Sequence, residues 1–170
     1  MTKHSAIVEV QGNSITKRFK KKDDKSFIKF IRELSVYTVA NKKKLDYIPR
    51  MISYDFKKRS ITTERIDGFD LGTIPEKKYV EREKYLTKIS DILYKLKKDL
   101  NLYHNDILYR NFVFNPKTNR LYIIDFESVS IEKTSHEKKD YIEHNISKKL
   151  KKTNKKKKTK KKKTKKKIFK

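Results

Sequence analysis

The sequence predicts an α+β domain followed by a disordered basic tail, and three observations carry that reading. Short runs rich in alternating or β-branched apolar residues recur at 6–10, 15–19, 51–56, 60–66, 112–114 and 121–124, the pattern of half-buried strands. Two longer stretches, 27–37 and 86–100, space their apolar residues three and four apart, as a helix packed on a core requires. Residues 148–170 hold 16 lysines and no acid, so of the formal net charge of +26 only +10 is left for 1–147. The first 147 residues therefore have enough Ile, Leu, Tyr and Phe for one modest core. The tail, with only Leu150, Ile168 and Phe169 among its lysines, has too little apolar surface for a core and is predicted to stay unfolded.

At 170 residues there is room for one domain and its tail. The chain has no cysteine, which excludes a disulfide framework and any Cys-based zinc site. No apolar run approaches the length of a membrane span, and Met1-Thr2-Lys3-His4 does not begin a signal peptide. An intracellular protein, cytoplasmic or nuclear, is expected.

Taken in order, 6–10 and 15–19 form two strands around the turn Gln11-Gly12-Asn13-Ser14. Alternation puts Ile15, Lys17 and Phe19 on one face, with the lysine among apolar neighbours. After a basic loop, Ser26 is the expected N-cap of a helix carrying Phe27, Phe30, Ile31, Leu34 and Tyr37 at helical spacing. Glu33 flanks that stripe; the alternative for it is a surface pair with Lys29, one turn earlier. Residues 51–56 and 60–66 read as an antiparallel pair turning at Lys57-Lys58-Arg59, and Asp67-Gly68 as a further turn. A second helical stretch opens at Pro75 and carries Leu86, Ile89, Leu93, Leu96 and Leu100.

That helix delivers the chain to 103–127, YHNDILYRNFVFNPKTNRLYIIDFE, the segment built for chemistry. It contains His104-x-Asp106, four residues, then Asn111, and closes on Asp125-Phe126-Glu127. Between them lie two strands, 112–114 and 121–124, around an Asn-Pro-Lys-Thr-Asn turn, a hairpin that would bring the two ends together.

This pattern resembles the protein-kinase-like superfamily, whose H-x-D-x-x-x-x-N is followed by a strand ending in D-F-G. The resemblance spans about residues 6–130 and implies a minimal two-lobed kinase-like fold, with an N-lobe near 1–66 and a truncated C-lobe near 67–147. It implies ATP and Mg²⁺ as cofactors. Asp106 would be the catalytic base, Asn111 and Asp125 the magnesium ligands, Lys17 the phosphate clamp and Glu33 its partner. Arg18 and Lys20 are the register alternatives to Lys17. The segment 63–68 resembles the connection between lobes, which assigns Glu64 and Ile66 to backbone contacts with adenine and Asp70 to the ribose. His104 would pack beneath the metal site.

Departures from the family pattern are plain. The glycine-rich phosphate loop is missing, and Gly12 stands alone in its place. Glu127 replaces the glycine of D-F-G, as on the choline-kinase and aminoglycoside-phosphotransferase side of the superfamily, where it could assist metal binding. Arg110, four residues after Asp106, resembles the tyrosine-kinase arrangement. In size, and in lacking the lysine that conventional Ser/Thr kinases carry two residues after the catalytic aspartate (Leu108 stands there), the chain is similar to Bud32-like atypical kinases.

The expected function is transfer of the γ-phosphoryl group of ATP to a hydroxyl, a protein Ser/Thr or a small amino alcohol. Two other readings stay open: a catalytically dead kinase-like module acting through its tail, and a basic nucleic-acid-binding protein without kinase ancestry. The lysines of 148–170 suit a polyanion, nucleic acid or acidic protein, held through counterion release, or are solvated composition bias.

Overall fold

The computed structural model describes residues 6–21, 24–75, 81 and 83–131. The 147/148 boundary, the lysine tail and the start of the second helical stretch, 76–80 and 82, lie outside the described residues.

The two N-terminal runs form β1 (Ala6–Gln11) and β2 (Ser14–Phe19), an antiparallel hairpin in which Val8 faces Lys17 and Val10 faces Ile15. Its turn needs a left-handed residue, and Gly12, at φ +55°, supplies one without steric cost. β2 then pairs with β4 (Ser60–Glu64), and β4 with β3 (Met51–Asp55), giving a four-stranded sheet in the order β1-β2-β4-β3.

Against this sheet lies α1 (Asp24–Lys43), which buries Phe30, Glu33, Leu34, Val36, Tyr37 and Ala40. Asp24 in its first turn and Lys42 and Lys43 in its last complement the helix dipole. The expected cap, Ser26, is instead a buried residue within the first turn, because the helix begins two residues earlier. Its far end stops at Lys44 (φ +53°), where Leu45 N–H donates to the Ala40 carbonyl at 3.0 Å.

The second layer is built on α2 (Leu86–Leu100), whose apolar stripe buries Ile89, Ile92, Leu93 and Leu96. Asn101 ends it in the left-handed conformation, φ 56°, which Asn tolerates better than most residues. A three-stranded sheet, β5 (Phe69–Asp70), β7 (Phe112–Asn115) and β8 (Arg120–Ile123), carries the hairpin of the chemical segment. A separate pair, β6 (Leu102–His104) with β9 (Val129–Ile131), ties its two ends together. Neither this pair nor β5 shows in the sequence pattern. Each is two or three residues long, too short for a period to show.

Tertiary anchors join these parts. Asn41 grips Met51 through both amide atoms, at 2.7 and 2.9 Å. Tyr47 donates its hydroxyl to Asp99 at 3.0 Å, and its carbonyl accepts from Ile123 N–H at 3.0 Å. Phe126 is fully buried, with the rings of Tyr37 and His104 set edge-on at 5.4 and 5.8 Å.

Gly68 lies where the chain passes β7. A Cβ there would stand 2.2 Å from the Phe114 carbonyl oxygen and 2.8 Å from its carbon, backbone atoms held in the sheet. Gly68→Ala should therefore cost about 1–3 kcal/mol, the ordinary range for overpacking. Denaturant unfolding would read this directly, and an unchanged midpoint would mean the strand yields.

Candidate active site

Lys17 projects from the middle of β2 toward α1 because Phe19, two residues on, is anchored in the core beside Phe30. Its ammonium meets three carboxylates: Glu33 Oε2 at 2.7 Å, Glu127 Oε1 at 2.9 Å and Asp125 Oδ1 at 3.0 Å. Glu33 is therefore not the partner of Lys29. That lysine reaches Glu127 Oε2 instead, at 2.9 Å, which cross-links the helix to the segment after β8.

Burial alone would lower the pKa of Lys17, but Glu33, Asp125 and Glu127 more than offset it, and it is raised. Burial pushes the Glu33 carboxyl up to about 7, against the pull of Lys17. Both directions follow from one geometry, a cation and its carboxylates taken out of water together.

Asp125 has a left-handed backbone, φ 65°. A non-glycine residue there costs local energy and persists only when its surroundings hold it. Here the preceding Ile124 is tied on both backbone sides: its N–H donates to the Asn111 carbonyl at 3.0 Å, and its carbonyl accepts from His104 Nε2 at 3.2 Å. His104 is buried, and burial holds its pKa below the usual value, so at neutral pH it is a neutral strut beneath Asp125.

Asn111 is buried at the end of a 3₁₀ turn, Tyr109–Asn111. Its amide nitrogen donates to the Asp106 carbonyl at 2.8 Å and to Asp106 Oδ2 at 3.1 Å. That commits the nitrogen and leaves the amide oxygen as the acceptor atom of this side chain. Arg110 lies 3.6 Å from Asp106 Oδ2, with both side chains more than a third exposed, so the pair orients more than it stabilises. Asn105, between His104 and Asp106, donates to the Ser128 carbonyl and to Ser130 Oγ at 2.7 and 3.0 Å.

Except for His104, Asn105 and Ser130, which lie off its lining, the residues of this network line one cleft of about 700 Å³. Lys17, Glu33, Asp106, Arg110, Asn111, Asp125 and Glu127 surround its charged part; Val8, Ile15, Ile61, Val113 and Ile124 supply apolar walls, with Glu64 and Ile66 also on the lining. Gly12 and Asp70 are not part of that lining. Asp70 instead accepts from Thr73 N–H at 3.1 Å and caps the turn Leu71–Thr73. Arg18, the alternative to Lys17, alternates to the opposite face and reaches Glu9 at 3.5 Å.

Five carboxyl groups and three cations line the cleft, in a chain whose net charge is +26. Oxygens of Glu33, Asp125 and Glu127 lie within 4.8 Å of one another. An all-oxygen donor set with excess negative charge suits a hard divalent cation such as Mg²⁺, so the residues present fit the metal. Lys29, Asn105 and Ser128 were not legible as parts of this region, since each acts through a contact between segments distant in sequence.

No family model and no curated protein matches the sequence. Solved structures of WbdD match it in fold. A high-resolution crystal structure aligns with TM-score 0.60 and 16% identity, covering 78% of this chain and 32% of WbdD. A co-crystal with a kinase inhibitor gives 0.57 and 16%, over 76% and 32%. A structure described as the bifunctional kinase-methyltransferase WbdD gives 0.55 and 17%, over 76% and 31%. The chain thus spans about a third of WbdD's length. At this identity the likeness is one of fold: the chain has a distant kinase-like, α+β fold. Among the described residues, no helix is long and apolar enough to cross a membrane.

Proposed function

We propose that the chain is a minimal kinase-like phosphotransferase that moves the γ-phosphoryl group of ATP to a hydroxyl. The observation that carries this reading is the convergence of Lys17, Glu33, Asp106, Asn111 and Asp125 on one cleft, although they come from segments up to 108 residues apart. In this reading the four-stranded sheet with α1 is the N-lobe, and the described residues between 67 and 131 belong to the C-lobe.

The apolar walls from Ile15, Ile61, Val113 and Ile124 suit a purine ring, with the Glu64–Ile66 backbone at its edge. Glu33 holds the Lys17 ammonium in the cleft, where it meets a phosphate oxygen. Asp106, steadied by Asn111 and Arg110, accepts the proton of the acceptor hydroxyl. Asn111 and Asp125 would hold Mg²⁺, with Glu127 assisting; bound there, it neutralises charge on the phosphates. The acceptor is taken to be a protein Ser/Thr, by analogy with the fold alone.

A second reading, nucleotide binding without turnover, draws on Gly12 lying off the cleft lining, which leaves the phosphates few backbone donors.

The test is a transfer screen with purified protein, γ-labelled ATP, mixed protein acceptors and small amino alcohols. Label should appear on an acceptor only with divalent cation present. Because carboxyl groups outnumber cations around the cleft, ATP binding measured by calorimetry should itself require Mg²⁺. Equal binding in excess chelator would count against the metal assignment. Metal-dependent binding with no labelled acceptor would favour the second reading.

A further inference from the structure

Glu127 holds two lysines at once, one on each carboxylate oxygen. Lys17 lies 2.9 Å from Oε1, and Lys29 lies 2.9 Å from Oε2. The two come from different elements: Lys17 from β2, and Lys29 from α1, one helical turn before Glu33. Both lysines line the cleft. Phosphates entering it would need donors, and Gly12 lies off the lining, so side-chain cations must supply what a glycine-rich loop otherwise would. Arg110, the other cation on the lining, is set against Asp106 at 3.6 Å.

The two lysines are not held alike. The Lys17 side chain is 16% exposed and also meets Glu33 at 2.7 Å and Asp125 at 3.0 Å. The Lys29 side chain is 39% exposed, and its ion pair is with Glu127, so it is the wetter and more weakly held of the two. The oxygens of Glu127 also lie within 4.8 Å of those of Glu33 and Asp125, in the group suited to a divalent cation. Once Glu127 turns its charge to such a cation, Lys17 keeps Glu33 but Lys29 loses its counter-charge. A compact ammonium on a flexible four-carbon stem can then turn to another anion without moving the helix.

We propose that Lys29 is a second phosphate-binding lysine, masked by Glu127 and released to the phosphates of ATP when Glu127 turns to the metal. The assignment rests on the phosphotransferase reading above and names the group that takes over from the missing loop.

The full chain provides the test, read as displacement of a fluorescent adenosine analogue, so that ATP drawn only to the lysines of 148–170 stays silent. With Mg²⁺ present, Lys29→Gln should weaken displacement by ATP about tenfold, the loss of one charge-assisted contact. Displacement by adenosine, which has no phosphate, should not change. Lys29→Arg keeps a cation there and should restore most of the loss. In excess chelator, Glu127→Gln should bind ATP more tightly than the wild type, because it unmasks both lysines. Adding Lys29→Gln should remove much of that gain. A lysine that only ties α1 to the segment after β8 would move ATP and adenosine together. Equal loss for both ligands, unchanged ATP affinity in Lys29→Gln, or no gain in Glu127→Gln would each overturn the assignment while leaving the phosphotransferase reading in place. A wild type that takes neither the adenosine analogue nor ATP would overturn that reading, and the assignment with it.

Discussion

Asp106→Asn should lower phosphoryl transfer by about 10²–10⁴-fold, the usual contribution of a positioned general base, while leaving ATP affinity close to that of the wild type. The amide keeps the shape of the carboxylate but cannot take a proton. Its position is fixed independently of its charge: the Asp106 carbonyl accepts from Asn111 at 2.8 Å, a contact the substitution leaves in place. The loss should therefore fall on kcat rather than on KM for ATP. Single-turnover transfer with calorimetric ATP binding checks both halves. Full activity in the variant would remove Asp106 from the base role, and loss of nucleotide binding would mean that Asp106 serves the metal instead.

How far this site could be read from sequence depends on the range of the contacts that make it. Lys17 was legible because β2 is long enough for alternation to choose a face, and the structure brings Lys17, rather than Arg18, to the cleft. The hairpin carrying Asn111 and Asp125 was legible because its strands and its turn are contiguous. Ser26 misled because a good capping residue competes with other N-terminal signals, and Asp24 begins the helix first. Asp70 misled for another reason. Asp is as apt to cap a short turn as to face a ligand, and here its oxygen is engaged by Thr73 N–H. Nothing in a single sequence reveals that Gly68 must pass within van der Waals contact of Phe114, or that Glu127 receives both Lys17 and Lys29. Those facts exist only once distant segments are packed.

The other large effect is expected at Lys17 itself, and it is one of stability. In Lys17→Met the stem still fills its place beside Phe19, but Glu33 loses the nearest cation. Glu33 is only 2% exposed, and Asp125 and Glu127 remain beside it. Removing one partner of a buried pair leaves an uncompensated charge wherever Glu33 is ionised, and should cost up to about 3–5 kcal/mol at pH values above its folded pKa. The loss should depend on pH in a defined direction. The folded pKa of Glu33, already pushed up to about 7, rises further once Lys17 no longer lowers it, so the folded state binds the extra proton. Stability from that proton is fully present below the ordinary carboxyl value near 4.5 and is lost as pH climbs through the folded value. The difference between variant and wild type should therefore be smallest in mild acid and grow above pH 7. Mg²⁺ should recover part of it, because the oxygens of Glu33, Asp125 and Glu127 lie within 4.8 Å of one another and would again face a cation. Urea unfolding of both proteins across pH, with and without Mg²⁺, measures all of this without any turnover. A variant as stable as the wild type at every pH would mean that water reaches Glu33, and the buried-pair account of the clamp would fail.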